Sequence, residues 1–284
     1  MSSARFYYAC TSGFVWSLFG VDKYLWRRVY NVMKLFLRIS FIGTAYCGYQ
    51  VQPNAVSIQQ KLCEATKLLF GTECDVCGCS RTDSGVHAND FCVSVTEKKK
   101  NYLSTNIELS SIVRAMNTYL PEDIAVKTAE WREDDFHPRY SVKYKEYIYK
   151  IYNGEVRSPF MAGRSYFYPK LIDDGLIEKM NVAAQSFVGH YDFKSFMATG
   201  SKITDTKRNV IDSKVFRDGD IIFFSVTADG FLYNMVRIMA GTLIEVAEGK
   251  INYKQIPAII QSLDRSKAGR TLPACGLYLN KVMY

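Results

Sequence analysis

Hydrophobic residues alternate with others from Met33 onward. Leu35, Leu37, Ile39 and Phe41 fall between Lys34, Phe36, Arg38 and Ser40, the period of a strand. Pro53-Asn54 then marks a turn. Ser57 and Gln60 have the spacing of a capping box, with Gln60 expected to reach back to the Ser57 amide. Ile58, Leu62, Ala65 and Leu69 form one helical stripe, which Gly71 should end. Phe91, Val93 and Val95 alternate with Cys92, Ser94 and Thr96 as a second strand. Leu109, Ile112, Val113, Met116 and Leu120 make a second helical stripe, stopped by Pro121, and Ile124 and Val126 open a third strand.

The second half repeats the theme. Lys145 to Tyr152 reads as an aromatic strand, and Leu176, Met180, Ala183 and Phe187 as a helix ending near Gly189. Arg208 to Phe216 and Ile221 to Ala228 read as strands joined through Asp218-Gly219, a hairpin signal. Phe231 to Glu248 predicts a long helix closed by Gly249, and Leu277 and Leu279 a closing strand. Both halves mix strands and helices in α+β fashion, each with helices on one face of its sheet. The expected division is an N-terminal α+β domain over 33–136 and a C-terminal α+β domain over 137–284, with a cleft between their sheets. Residues 1–32 lack a clean period, are aromatic, and carry one acid, Asp22, against Arg5, Lys23, Arg27 and Arg28. They form an atypical N-terminal extension for which three readings stand: an appendage, an organelle-targeting segment, or upstream codons before a start at Met33.

Composition narrows the class. The 284 residues are 48% hydrophobic and 23% charged, enough for a sizeable core and unlike a disordered chain. Lys plus Arg number 36 against 28 acids, a formal charge of +8. That excess suits a polyanion, because each phosphate met by Lys or Arg releases a counterion; a basic surface without a partner is the plain alternative. No apolar run approaches the roughly 20 residues that span a bilayer. Eight cysteines without a secretory signal suggest reduced thiols in a cytoplasmic protein. Cys74 and Cys77 have the gap of a zinc half-site, with Cys79, Cys92 and His87 nearby. A structural site needs four ligands and no second Cys-x-x-Cys appears, so small thiols in a strand-rich segment are the favoured reading and no metal is assigned.

The densest chemistry lies in Gly78-Cys79-Ser80-Arg81-Thr82-Asp83-Ser84-Gly85-Val86-His87-Ala88. Small residues, an arginine and an acid crowd one loop between the first helix and the strand at Phe91, as in loops that bear function. Taken alone, Asp83 could equally cap a local backbone amide in a polar turn.

Ser80 to Ala88 resembles the Gly-Arg-Thr-Asp-Ala-Gly-Val-His-Ala signature of TruA-type tRNA pseudouridine synthases, with Ser80 for its first glycine and Ser84 for its alanine. Gly43-Thr44-Ala45-Tyr46-Cys47-Gly48-Tyr49-Gln50-Val51-Gln52 is similar to the family's Gly-Thr-x-Tyr-x-Gly-Phe-Gln-x-Gln, although Ile42 replaces the usual Asp. Phe136-His137-Pro138-Arg139-Tyr140-Ser141 and Lys145-Glu146-Tyr147-Ile148-Tyr149 resemble its Phe-His-Ala-Arg-Phe-Ser and Lys-x-Tyr-x-Tyr. His190 to Phe196, Asn234 to Gly241 and Gly276 to Leu279 match three further blocks, so the likeness runs in order from Met33 to Tyr284.

The resemblance implies the pseudouridine synthase fold, two ferredoxin-like halves with antiparallel sheets and an active-site cleft between them. It implies an isomerase that converts uridine to pseudouridine at positions 38, 39 and 40 of the tRNA anticodon stem-loop, working as a homodimer. No electron changes hands when a base is detached and rejoined through carbon, so no cofactor is expected. Asp83 would be the nucleophile or stabiliser at the ribose C1′, as a carboxylate is in glycosidases. Arg237 would pair with it, in a bidentate contact that orients the acid and favours its ionised form; otherwise it is a surface helix residue. Tyr147 would stack on the flipped base and is a possible general base at C5; its plain reading is core. Leu277 would wall the base or simply pack. Arg81 would fill the space the uridine leaves, or bridge to a local acid. His87 is expected beside the substrate loop, bracing it. Lys98, Lys99 and Lys100 are either a solvated turn or phosphate contacts. A different class stays open: an RNA-binding protein or tRNA chaperone without catalysis.

Overall fold

The computed structural model describes residues 33–200 and 203–284, so the readings of residues 1–32 lie outside the described residues. The elements follow the alternations closely: β1 (Lys34–Phe41), α1 (Ile58–Phe70), β2 (Cys74–Gly78), β3 (His87–Glu97), α2 (Leu109–Tyr119), β4 (Ile124–Arg132), β5 (Tyr144–Tyr152) and β6 (Tyr166–Phe167). Then come α3 (Asp174–Gln185), β7 (Gly189–Asp192), β8 (Lys207–Asp218), β9 (Ile221–Ala228), α4 (Met235–Ala247), α5 (Ile256–Ser262) and β10 (Leu277–Met283).

Among the described residues ten strands make one mostly antiparallel sheet, in the order β4-β1-β3-β10-β5-β9-β8-β7, with β2 on β3 and β6 on β5. The α+β class stands, but the two expected sheets are joined edge to edge. β10 is the seam: it pairs parallel with β3 at Tyr278 opposite His87, and antiparallel with β5 at Leu277 opposite Tyr149. The cleft is therefore a groove over one face of a continuous sheet. Leu35, Leu37, Ile39, Val93, Tyr149, Ile151, Phe224 and Val226 are all buried, and α4 contributes a helix apolar almost all round.

Local chemistry explains most boundaries. Ser57 caps α1 by accepting the Gln60 amide hydrogen, and Gly71 ends it in the left-handed region at φ 67°. The second half of the expected capping box is not made, because the Gln60 side chain instead donates to Glu64 Oε1 at 2.9 Å. The β8–β9 turn places Gly219 at φ 55°, as a tight hairpin requires. One added strand and three boundaries differ from expectation. β2 intervenes before the acidic loop, and β3 begins at His87 rather than at Phe91, so His87 lies on a strand. α3 stops at Gln185, and Gly189 opens β7. α4 starts at Met235, because Asn234 sits at φ 58° and breaks the stripe begun at Phe231.

Candidate active site

The groove deepens into a cavity of about 760 Å³ whose wall includes Ser80, Arg81, Thr82, Asp83, Lys145, Tyr147, Phe231, Arg237 and Leu277. One wall is the loop from Cys79 to Val86. Its backbone is clamped by the earlier Gly43–Gln52 stretch: the Tyr49 amide donates to Thr82 O at 3.2 Å and the Gly85 amide to Tyr46 O at 3.3 Å. The clamp is so close that glycine is required. A Cβ on Gly43 would lie 1.9 Å from Val86 O, and one on Gly48, already at φ 86°, would lie 2.5 Å from Thr82 O. The two motifs that are far apart in sequence are thus one structural unit, with the first as the seat of the second.

The opposite wall is the turn into α4. Arg237 sits in its first turn and aims back at the loop. Its Nη1 lies 3.3 Å from Asp83 Oδ2, its Nε donates to Leu272 O at 2.7 Å, and Nη1 also donates to Asn234 Oδ1 at 2.7 Å. The contact to Asp83 is single rather than bidentate, because the Nε edge of the guanidinium is spent on the Leu272 carbonyl. Arg237 is the more enclosed partner, its side chain 18% exposed against 39% for Asp83.

Tyr147 stands on β5 between the walls, its ring edge-on to Phe231 at 4.9 Å. Its hydroxyl meets Ser80 Oγ at 3.2 Å. Burial pushes the phenol well above its ordinary value, with the Ser80 contact opposing. Both departures from the family signature are therefore occupied: Ser80 holds the tyrosine, and the Ser84 hydroxyl donates to Tyr46 O at 3.2 Å. Leu277, at the start of β10, is buried and lines the same cavity.

Of the other expected residues, Arg81 lines the cavity and the rest lie apart. Arg81 is exposed at the mouth. His87 does not line the cavity. It is fully buried behind the loop, where Nδ1 accepts the Gly43 amide hydrogen at 2.9 Å. That fixes the proton on Nε2, which donates to Cys275 O at 3.1 Å. The ring also stacks on Tyr278 at 4.5 Å, and burial pulls its pKa below the ordinary imidazole value. Lys98 and Lys99 sit in the turn after the far end of β3, roughly 30 Å along the strand from His87 at about 3.3 Å per residue. Lys98 Nζ is 3.8 Å from Glu73, and Lys100 pairs with Glu97.

Sequence reasoning passed over three cations that line the cavity, Arg139, Lys145 and Arg208. Lys145 was findable: two residues before Tyr147 on one strand, it must share that face. Its Nζ donates to Cys79 O at 2.7 Å, and burial lowers its pKa. Asn234 gave no signal beyond its place in a motif. The zinc half-site fails on geometry, since Cys74 and Cys77 are three apart on β2 and so point to opposite faces. Cys79 Sγ instead accepts the Cys92 amide at 3.4 Å. Among the described residues no three His, Cys, Asp or Glu side chains converge as metal ligands would, and no helix is long and apolar enough to cross a membrane.

Residues 183–284 match the sequence profile of the family described as tRNA pseudouridine synthase. The tRNA pseudouridine synthase A of Caldicellulosiruptor bescii is 41% identical over 250 residues, covering 88% of this chain and 99% of the relative. That of Ruminiclostridium cellulolyticum is 42% identical over 254 residues, with the same coverage of 88% and 99%. A solved chain from a structure titled "Crystal Structure of a Cbf5-Nop10-Gar1 Complex" is similar at 12% identity with a TM-score of 0.33, over 86% of this chain and 57% of that one.

Proposed function

Because the chain belongs to the tRNA pseudouridine synthase A family, an isomerase family acting on uridine in tRNA, we propose that it converts uridine to pseudouridine at positions 38, 39 and 40 of the anticodon stem-loop, through Asp83. The observation that supports this most is the Asp83–Arg237 contact of 3.3 Å in the lining of a cavity large enough for a flipped nucleotide. The N1–C1′ bond of the target breaks, positive charge develops at C1′, and the Asp83 carboxylate acts there. After the base turns, C5 bonds to C1′, the C5 proton leaves and N1 takes up a proton. Atoms and electrons balance without a cofactor.

Arg237 keeps Asp83 oriented and sets a counter-charge beside it as the charge at C1′ rises and falls. Tyr147 and Leu277 hold the base between them. Since burial keeps Tyr147 a phenol, it serves proton movement at C5 as a neutral relay with Ser80 rather than as a tyrosinate. Arg81, exposed at the mouth, occupies the space the uridine vacates. Lys98 and Lys99 meet phosphates remote from the reacting base. His87 acts on the loop from behind. The enzyme works as a cytoplasmic homodimer in this reading, with one tRNA reaching both subunits.

Position is tested with tRNA transcripts in which the uridines at 38, 39 and 40 are replaced by cytidine singly and together. Pseudouridine mapped by chemical adduct and primer extension should appear at each remaining uridine and vanish with the triple replacement. Product elsewhere in the transcript would contradict the assignment to this arm. A non-catalytic RNA-binding protein would yield no product from any transcript.

A further inference from the structure

Beside the catalytic cavity lies a smaller one of about 160 Å³, and the two share Ser80, Arg81 and Arg139 in their walls. Its rim carries Tyr140, a large ring left 77% exposed. An exposed aromatic in a loop is ordinarily mobile, but this one is held. Its ring lies against His137 at 4.3 Å and 31°, so one face is covered and the other faces outward. His137 is itself fixed: Nδ1 accepts the amide hydrogens of Arg139 at 3.1 Å and Tyr140 at 3.3 Å. The Ser141 amide donates to His137 O at 2.9 Å, and the His137 amide donates to Ser141 Oγ at 3.1 Å. The Tyr284 hydroxyl pins Pro138 O at 2.8 Å. Burial, with Lys34 and Arg139 nearby, lowers the His137 pKa, which suits an Nδ1 that accepts.

We propose that Tyr140, backed by His137 and flanked by Arg81 and Arg139, is a stacking subsite for one unpaired nucleotide next to the target uridine. The proposal rests on the RNA-modifying function given above and adds where the neighbouring base goes. When a uridine leaves its stack and Arg81 takes its place, a neighbouring base drawn out with it needs a new stacking partner. A rigid exposed ring with a free face replaces that partner at little entropic cost, and every base offers a π-face to it. Arg139 lines both this platform's cavity and the catalytic one, where the phosphate linking the two nucleotides passes in this proposal. The nearby Gln59 amide is engaged on both sides, Oε1 accepting from the Val51 amide at 2.9 Å and Nε2 donating to Val76 O at 2.8 Å. The subsite therefore selects for a stacked base more than for its identity.

The test uses the full chain and an anticodon stem-loop RNA with 2-aminopurine placed singly at positions on either side of the target uridine. Stacking quenches the probe. Wild type should quench it at one adjoining position, Tyr140→Phe should retain the quench, and Tyr140→Ala should abolish it and weaken binding roughly ten-fold, the scale of one base stack. In turnover the effect should fall on KM more than on kcat. Equal quenching and affinity in wild type and Tyr140→Ala would overturn the subsite, as would no quenching at any position. So would a Tyr140→Ala change that altered the sedimentation of the RNA-free protein, because the ring would then cover a protein contact. The catalytic reading fails separately: if wild type binds and quenches yet forms no pseudouridine, the subsite stands and the isomerase assignment falls.

Discussion

On one wall of the cavity Asp83 sits in a loop of small residues, with its side chain 39% exposed and one cationic contact at 3.3 Å. On the other, Arg237 is 18% exposed and anchored three ways, to Leu272 O, Asn234 Oδ1 and Asp83 Oδ2. The acid is held through its backbone, by two glycines that admit the loop at contact distance. The cation is held through its side chain. In the proposed reaction the carboxylate must stay open to the ribose, so only its main chain can be gripped. Its counter-charge need not move, so it can be fixed completely and cost no reorganisation during reaction.

Substitutions separate the two kinds of hold. Among substitutions that leave Asp83 in place, the largest effect is expected from Gly48→Ala, which adds a Cβ where φ is 86° and Thr82 O is 2.5 Å away. Displacing the loop by about 1 Å should lower kcat by about 100-fold. Arg237→Lys keeps the charge but not the fork, so the Leu272 and Asn234 anchors cannot both survive with the Asp83 interaction. A fall of about 10- to 100-fold in kcat/KM is expected, the scale of hydrogen bonds to a charged group. Asn234→Gly tolerates the left-handed backbone but deletes the amide, and should cost about ten-fold in the same assay. Full activity in Asn234→Gly would show that Arg237 does not need that anchor.

Stability should depend on pH through His87. Burial lowers its pKa in the folded chain, so the unfolded chain binds the proton first. The neutral ring's contribution is complete above the unfolded value of about 6.5 and disappears as pH falls below it. Unfolding midpoints taken from pH 8 down to 5 should decline less steeply for His87→Gln than for wild type. The smallest effect is expected from removing Lys98 and Lys99 together. The slope of log affinity for tRNA against log salt should flatten by about 0.9 for each phosphate that is no longer neutralised, and an unchanged slope would remove both from the interface.

How much of this was readable in the sequence depends on how local the determinant is. Ser57, the stripe from Ile58 to Leu69, and Gly71 mark α1 completely, because caps and periodicity act within a few residues. The density of unusual residues drew attention to the Asp83 loop, but Asp83, Tyr147 and Arg237 were singled out as cavity residues only by the motifs that resemble a family. β2 was missed because five residues with two cysteines and a glycine give too short an alternation. The start of α4 was misplaced because Phe231 to Tyr233 prolong the apolar run, while the left-handed turn at Asn234 leaves no periodic trace. That the halves share one sheet depends on Tyr278 pairing with His87, a pairing across most of the chain that no window of sequence contains. The single Arg237–Asp83 contact, in place of a bidentate one, follows from where Leu272 O lies, which is equally non-local.

The central claim is that Asp83, held open in its loop, does the chemistry. Tritium release from tRNA transcript labelled at uridine C5 reads it directly, run for wild type beside Asp83→Asn with tRNA binding measured in parallel. The expected result is steady release by wild type and at least about a 10³-fold slower release in Asp83→Asn, with binding retained. Comparable release from Asp83→Asn, or none from wild type that binds tRNA, would contradict it.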